Sequence, residues 1–558
     1  MPIPWRQVLA AVTAVAVAGV ASAADGEAPA QRDIKPVVQR IDQEIQKKLD
    51  EAKLKPSPRT DDAEFLRRAY LDITGKIPSA DKARAFLDSQ EADKRAKLID
   101  ELLASPDYGR HFAIIWRTML VKRDEANRTL NSRGFQDWLT EQFNQNPGWH
   151  KTVQAMLTAE GETDKNPAGF FFLANRDMTR LDPAKITGTT FNLFLGVQMQ
   201  CAECHNHPFV SEWKQSDFWG LAAFFGRVRD TATPARANQP PATANIAETA
   251  ATASKTGKRP GGGFGGRPMP TGATIAIPSA TDPNKVVGSA KAKFFEGEEP
   301  KLGSQPPYRP AVAEWLTSAE NKYFAKAAVN RMWAHLLGRG FVNPVEDMNH
   351  DNEPSHPELL QALAKEFGAS GFDLKHLIRC ICNSETYQRS SAPIAENKDD
   401  DKLFSHQTVK VMSAESLYDS LTAAMGSEPS VGGGGGRPGG GGQRGFAGGA
   451  REQFVRFFDT REEGDDASDS GHGIPQFLRL MNSAQLNRTT TLVNRLAKEG
   501  LSHDKAIEAM YLSTLSRRPT PTEAEKLGAY VAKQADPKKG YDGVMWILLN
   551  SAEFMCIR

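Results

Sequence analysis

Residues 61–87 read DDAEFLRRAYLDITGKIPSADKARAFL, and the fold class follows from the signals they contain. Asp61 and Glu64 stand three residues apart ahead of an apolar run, which is the start of a capping box. Gly75 and the proline after it mark a turn, and Ser79 is placed to cap a second helix. The stretch therefore predicts two helices joined by a short turn.

Helical signals continue on both sides of this stretch. Residues 94–103 (KRAKLIDELL) and 110–121 (RHFAIIWRTMLV) repeat the pattern, and little strand-like alternation occurs before residue 229. The N-terminal segment 24–57 begins as a polar tail and becomes a helix. That helix carries an apolar stripe with steps of three and four residues: Ile34, Val38, Ile41, Ile45 and Leu49. We expect this stripe to pack on the body of the protein rather than on another chain.

Two segments differ from the rest in composition. Residues 230–300 are rich in Ala, Thr, Pro and Gly, and residues 427–450 form a Gly-rich loop. Such segments bury too little apolar surface to fix their backbone, although TIAIP at 274–278 is typical of a short strand. We therefore predict a mainly α protein with few short strands. A helical domain at 58–229 is joined by a low-complexity linker or insertion (230–300) to a second helical domain at 301–558.

The second half carries its own helix starts. Ser355 and Glu358 predict a capping box ahead of ELLQALAKEF. Thr520 and Glu523 predict another, with Pro521 at the first helical position. The C-terminal part is thus also expected to be mainly α-helical.

Length, charge and the N-terminus limit the class of protein. A chain of 558 residues exceeds one compact core, and a formal charge of +1 lacks the basic excess expected of a nucleic-acid-binding protein. Residues 1–23 carry one arginine, a short apolar run and Ala-Ser-Ala, which predicts a signal peptide cleaved after Ala23. The run is too short to span a bilayer of about 30 Å. We therefore expect an exported protein of the periplasm or cell envelope with no transmembrane span.

The main candidate site lies in QCAECHNHPF at 200–209. Cys201 and Cys204 have the spacing that forms two thioether bonds to one haem, and His205 follows directly as an axial ligand of the iron. Haem attachment of this kind takes place outside the cytoplasm, so it agrees with the predicted export signal. The pattern thus predicts haem c as the cofactor, with His205 as the metal ligand.

Other interpretations of these residues remain open. Cys201, Cys204, His205 and His207 together could bind a metal without haem, although a second pair of ligands elsewhere is usual. The two cysteines could also form a redox-active dithiol or a local disulfide. Cys380 and Cys382 are interpreted mostly as buried free thiols, because residues two apart on a helix do not face each other, whereas Cys556 supports no interpretation.

Two further questions follow from the haem hypothesis. The sixth iron ligand is undecided among His207, an open position and several methionines: Met178, Met199, Met269, Met332 and Met348. An aromatic segment after the motif could wall a haem crevice or form ordinary core, which is the commoner case: Trp213, Phe218, Trp219, Phe224 and Phe225.

A second polar cluster lies at residues 346–358, in EDMNHDNEPSHPE. Its carboxylates and imidazoles are residue types that support metal-assisted hydrolysis: Glu346, Asp347, His350, Asp351, Glu353 and His356. A polar loop ahead of a helix is more often solvated than metal-binding, so this hydrolase hypothesis ranks last.

Long motifs in both halves resemble a known family. DDAEFLRRAYLDITGKIPSADKARAFL, LASPDYGRHFAIIWRTMLVKR and FLGVQMQCAECHNHPFVSEWKQSDFWGLAAFFGRV resemble the planctomycete-type cytochrome-like domain, a domain of unknown function in exported bacterial proteins. The segment from RPAVAEWL to SETYQRSS resembles its usual C-terminal companion domain.

This resemblance implies little about activity. It carries over Cys201, Cys204 and His205 as haem-binding residues, while Asn206 stands where many relatives have aspartate. Two functions are therefore expected. The first choice is a mono-haem c-type redox protein with a redox or envelope partner, and the second is a non-redox envelope protein that binds partners or supports structure.

Overall fold

The computed structural model describes residues 32–121, 132–177, 180–232, 244–250, 272–282, 285–426, 449–458, 473–483 and 487–558. The predicted signal peptide at 1–23, nearly all of the Gly-rich loop and parts of 230–300 lie outside these residues. Ile34–Arg558 forms one compact unit.

Helices dominate the first half of the chain, as predicted. Their bounds are α1 (Lys35–Ala52), α2 (Asp62–Thr74), α3 (Ala80–Asp88), α4 (Lys94–Ala104), α5 (Pro106–Leu120), α6 (Arg133–Gln145), α7 (Trp149–Leu157), α8 (Phe170–Leu173), α9 (Pro183–Thr190) and α10 (Gln215–Phe225). Short 3-10 turns lie at Pro167–Gly169 and Gln200–Glu203, and a π-helical turn at Phe191–Leu195 extends α9.

The second half is helical as well. Its helices are α11 (Arg309–Thr317), α12 (Phe324–Leu337), α13 (Pro357–Ala369), α14 (Leu374–Cys382), α15 (Ala414–Met425), α16 (Ala450–Phe458), α17 (Ile474–Asn482), α18 (Thr491–Glu499), α19 (His503–Thr514), α20 (Pro521–Ala532), α21 (Pro537–Leu549) and α22 (Ala552–Met555). The mainly α class is thereby confirmed. Within the described residues, no helix is long and apolar enough to cross a membrane.

The strands are short and all antiparallel. Strand β3 (Ala244–Glu248) lies between β1 (Gly161–Glu162) and β2 (Val228–Ala232). Strand β4 (Thr274–Pro278), the predicted TIAIP strand, pairs with β5 (Val286–Lys291), and both pack on α10. Strand β6 (Lys410–Val411) pairs with β7 (Cys556–Ile557). The described parts of 230–300 therefore contain strands that the low-complexity interpretation did not foresee.

Local capping explains where several helices begin. The side chain of Asp61 accepts a hydrogen bond from the backbone N–H of Glu64 at 2.8 Å, and Ser79 accepts one from Lys82. Gly75 ends α2 in the left-handed conformation, with φ of 70°. Thr520 and Glu523 form the predicted reciprocal capping box at α20.

The capping box predicted at Ser355 is wrong. Helix α13 starts at Pro357, so His356 is its N-cap residue, and no side chain caps it. The backbone N–H of Ser355 instead donates to the carbonyl of Phe341 at 2.8 Å, which holds the loop against the core. The sequence pattern was correct for a helix start, but a tertiary hydrogen bond placed the cap one residue later.

The hydrophobic core is shared by both halves of the chain. One cluster joins Phe65 and Trp116 from the first half with Trp333 and Phe367 from the second. Helix α1 belongs to this cluster and buries the inner part of its stripe against α13 and α14, which confirms that it packs on the body.

A second cluster gathers the helices from α15 onward, and Leu71 of α2 packs in it. Helix α2 thus lies between the two clusters. Its Arg67 guanidinium donates to the carbonyls of Thr514 and Phe554, and Arg68 donates to those of Tyr387 and Arg558. One helix near the start of the described chain therefore binds backbone groups from its last third.

Candidate functional site

The Cys-x-x-Cys-His segment follows a sharply bent connection after α9. Gly196 ends the π-helical turn with φ of 67°, a conformation that favours glycine. A Cβ at this position would lie 3.2 Å from both the sulfur of Met348 and the Cβ of Ala327. The close packing and the positive φ together require glycine here, and they fix the direction in which the chain leaves toward Cys201.

Cys201 and Cys204 lie on and directly after the 3-10 turn Gln200–Glu203. Both are exposed free cysteines, whereas Ala202 between them is completely buried. The turn thus anchors one side in the core and presents its two thiols to solvent.

Hydrogen bonds hold this turn onto the start of α10. The indole of Trp219 donates to the carbonyl of Glu203 at 2.9 Å, and the side-chain amide of Gln215 donates to the carbonyls of Glu203 and Cys204 at 3.0 Å. Burial, with a smaller contribution from Asp182, raises the pKa of the Glu203 carboxyl. The backbone of the motif is therefore fixed by α10 while its cysteine side chains remain accessible.

The imidazole of His205 is oriented by its neighbour. Its Nδ1 lies 2.6 Å from the carbonyl oxygen of Asn206. A carbonyl can only accept, so Nδ1 must carry the hydrogen, and the Nε2 of a neutral ring then keeps its lone pair. Within the described part of the chain, Nε2 forms no hydrogen bond. A histidine that donates through one nitrogen to a carbonyl and offers the other is the usual arrangement of a metal ligand.

His207 has a different role. Its Nδ1 accepts from the backbone N–H of Val210 at 3.0 Å, and the backbone N–H of His207 donates to the carbonyl of Trp213 at 2.9 Å. These bonds close the loop after the motif, as expected of a turn histidine. Phe209 protrudes from this loop and is 81% exposed.

The aromatic segment after the motif forms ordinary core, which was the favoured interpretation. Phe218 stacks on Phe191, Trp213 contacts the edge of Phe295, and Phe224 stacks on Phe294. All five members of the predicted wall are buried: Trp213, Phe218, Trp219, Phe224 and Phe225. Their rings are already in contact with other residues of the core, so they do not line an open crevice beside Cys201 and Cys204.

The methionines proposed as sixth ligand do not share one location. Met199, Met332 and Met348 are buried in the core. Met178 and Met269 lie outside the described residues. The three described candidates, Met199, Met332 and Met348, are therefore packed in the core rather than exposed beside the motif.

Two of the remaining cysteines, Cys380 and Cys382, behave as predicted. Cys380 and Cys382 are buried free thiols in α14, and Cys556 is free and partly buried. Burial raises the pKa of Cys380 to about 12, which keeps this thiol protonated and unreactive at neutral pH.

Residues 346–358 do not converge on one point. Glu346 pairs with Arg331 at 3.3 Å, and Asp347 accepts hydrogen bonds from the side chains of Asn349 and Asn352. His356 is buried with its ring against Phe341 and Phe404. No group of three or more His, Cys, Asp or Glu side chains suited to a metal ion occurs in the described parts of the chain.

Two protein-family profiles match the chain, and they do so in the expected order. The first, described as a protein of unknown function (DUF1549), matches residues 40–230, and the second, a protein of unknown function (DUF1553), matches residues 308–531. The chain contains a DUF1549 domain followed by a DUF1553 domain. The resemblance seen in the sequence is thereby confirmed. No curated protein and no solved structure matches the chain.

The Cys-x-x-Cys-His motif lies in the segment that matches DUF1549, and residues 346–358 lie in the segment that matches DUF1553. The two are close to each other in the structure. The backbone N–H of Met348 donates to the carbonyl of Gly196 at 2.9 Å, just before the motif. The imidazole of His350 lies 3.8 Å from the carboxylate of Glu212, just after it. The sequence carries no signal for this contact, because it depends on how the two halves pack.

Proposed function

We propose that this DUF1549–DUF1553 protein is an exported mono-haem c-type redox protein of the cell envelope. Cys201 and Cys204 would bind the haem covalently, and His205 would bind its iron. The bound haem would supply one-electron transfer at the surface of the protein, where a redox partner can approach.

The observation that carries this proposal is the orientation of His205. Its Nδ1–H donates to the carbonyl of Asn206, which directs the Nε2 lone pair outward from the same short segment that exposes both thiols. These donors fit a c-type haem, whose attachment needs two accessible thiols and one imidazole lone pair within five consecutive residues. The predicted signal peptide supports the proposal, since it would deliver the chain to the compartment where such attachment occurs.

The alternative functions fit these contacts less well. A metal knuckle made of both cysteines and both histidines needs His207 as a ligand, but its Nδ1 is held by backbone N–H groups within the loop. A non-redox binding or structural role, with a disulfide between Cys201 and Cys204, agrees with the exposed thiols but does not use the orientation of His205. The hydrolase hypothesis loses its basis, since the side chains of 346–358 point to different partners.

The test is covalent haem attachment. The full chain should be produced with its own N-terminus in a bacterial host that has a c-type maturation system. Denaturing gels stained for haem should show a band at the size of the protein, and Cys201→Ser with Cys204→Ser should abolish it. Cys556→Ser is the matched control and should keep the band. This cysteine lies far from the motif in the sequence, on strand β7, which pairs with β6.

The outcome also separates the alternatives. Colourless protein from such a host would overturn the haem proposal. Mass spectrometry without reduction would then detect a disulfide between Cys201 and Cys204 if the structural role is the right one. Localisation is tested separately, since protein recovered from the envelope fraction should begin at Ala24.

A further inference from the structure

A cleft outside the Cys-x-x-Cys-His region is lined by two buried polar side chains that lack hydrogen-bond partners. It lies where the C-terminal end of α2, the first half of α5 and the first turns of α15 meet. His111 from α5 and Glu415 from α15 are 8% and 3% exposed. Neither the Nε2 of His111 nor the Oε1 of Glu415 has a hydrogen-bond partner within the described part of the chain.

Unpartnered buried polar atoms are costly, so a pair of them in one cleft needs an explanation. Leaving such an atom without a partner costs about 1–3 kcal/mol, and more for a charged group. Here both atoms belong to side chains that line the same opening. A ligand that reached both atoms from this opening would satisfy them at once.

The other charged groups of the lining are already paired. Lys76 contacts Asp107 at 2.7 Å, and Arg110 contacts Asp419 at 3.1 Å. Arg451 approaches Asp419 from outside the lining, also at 3.1 Å. When Arg451 is included, the cleft has as many positive as negative side chains. Its net charge therefore does not determine which ligand binds. What selects the ligand is Glu415, whose Oε1 has no hydrogen-bond partner among the residues that the structure describes, together with the imidazole that lines the same cleft.

The imidazole of His111 is not protonated from solution, so it can accept a hydrogen bond. Burial, assisted by the neighbouring His335 and by the positive charges of Lys410 and Arg110, lowers the pKa of this imidazole well below its usual value. The ring is therefore neutral at neutral pH and can offer a lone pair. Gly75 allows the ring to sit here, since a Cβ on this glycine would overlap it.

Size and chemistry together narrow the ligand. The cleft has room for a group about as large as one water molecule, and it is partly open to solvent. A carboxylate oxygen requires a hydrogen-bond donor, and so does the Nε2 of a neutral imidazole whose hydrogen is on Nδ1. We propose that the cleft between His111 and Glu415 binds a primary ammonium group, either as the free ammonium ion or as the end of an amine that extends through the mouth.

The test is the thermal stability of the full chain in different salts. Ammonium chloride and methylammonium chloride should raise the midpoint of unfolding in a saturable way relative to sodium chloride at equal ionic strength. Tetramethylammonium chloride, which has no N–H donor, should not. A rise with ammonium alone indicates the free ion, and an equal rise with methylammonium indicates an amine head group.

Variants locate the effect. Glu415→Gln keeps the shape but removes the carboxylate and should abolish the ammonium-specific rise, whereas Glu396→Gln, at an exposed carboxylate, should keep it. If Glu415→Gln does not fold, the wild-type protein still decides the matter. Isotope-labelled ammonium should then show a bound nuclear magnetic resonance signal that methylammonium displaces. Equal midpoints in all four salts, without such a signal, would overturn the proposal and leave water as the partner of both atoms.

Discussion

A single buried carboxylate, Asp72, connects the two halves of the molecule. It is completely buried, and it accepts from the ammonium of Lys410 at 2.6 Å and from the hydroxyl of Tyr387 at 2.9 Å. The same ammonium donates to the carbonyl of His335 at 2.7 Å. Breaking one partner of a buried pair leaves the other charge without compensation.

We therefore predict that Asp72→Asn or Lys410→Met lowers the free energy of unfolding by about 3–5 kcal/mol. Urea denaturation followed by circular dichroism measures this change. Lys82→Met is the matched control, because its pair with Glu101 is more than half exposed and should cost about 1 kcal/mol or less. Similar losses for Lys410→Met and Lys82→Met would show that burial does not determine the contribution of this pair.

A second residue predicts a dependence on pH. Burial, with a smaller effect of Lys48, lowers the pKa of His356 to about 4 from a usual value of 6.5. The unfolded chain therefore binds a proton at this residue below pH 6.5 while the folded one does not. The contribution of His356 to the free energy of unfolding is fully present above pH 6.5 and is lost as the pH falls toward about 4. The loss is about 3 kcal/mol.

Unfolding free energies measured across this range should show that decline in the wild type. His356→Asn should flatten the part of the slope that this residue causes. A slope that His356→Asn does not alter would assign the pH dependence to other groups.

The candidate site was predictable at this scale only where it is local. Cys201, Cys204 and His205 lie within five consecutive residues, so the motif is visible in the sequence itself. The donation from His205 to Asn206, the inward turn of His207 and the contact of His350 with Glu212 depend on backbone geometry and on packing between distant segments. No spacing in the sequence encodes those contacts.

Helix starts show how far local signals reach at the scale of elements. Asp61, Ser79 and Thr520 cap their helices as predicted, because each needs only its own next three residues. Ser355 does not, because the carbonyl of Phe341 engages its N–H. The strands β3 and β5 were missed for a related reason: their composition is that of a loop, and pairing with other segments makes them strands.

The caps also support a quantitative prediction. Asp61→Ala removes the hydrogen bond to the N–H of Glu64 and should cost about 1 kcal/mol of stability. Asp93 occupies the N-cap position of α4, yet its side chain makes no capping bond. Asp93→Ala should therefore cost only a few tenths of a kcal/mol, the value of its exposed pair with Lys97. Denaturant unfolding compares the two, and equal costs would contradict the assigned role of Asp61.

At the scale of the whole molecule, the shared core makes a prediction about cooperativity. The cluster that contains Phe65 also contains Trp333, and α2 packs in both clusters. A fragment of residues 58–229 or 301–558 would expose much of that core. We expect each fragment alone to lack a cooperative unfolding transition, while the full chain unfolds in one step. Calorimetry of the three proteins tests this, and two separate transitions in the full chain would contradict it.

The mainly α class was readable from helical periodicity, because that pattern recurs along most of the chain outside 230–300 and 427–450. The sharing of one core was not, because the change in composition at 230–300 resembles a boundary between domains. The sequence shows where the chain stops burying apolar residues, but it does not show which segments later pack together.

The distance between Asp72 and Lys410 along the chain also has a consequence in time. The two residues are 338 positions apart, and a ribosome adds about 5–20 residues per second, so their synthesis is separated by roughly 20–70 s. During that interval α2 has neither the ammonium that compensates Asp72 nor the carbonyls that Arg67 and Arg68 bind. The first half of the chain must therefore remain incompletely folded until nearly all of the second half has been made, and it depends during that wait on whatever factors in the cell protect exposed apolar surface.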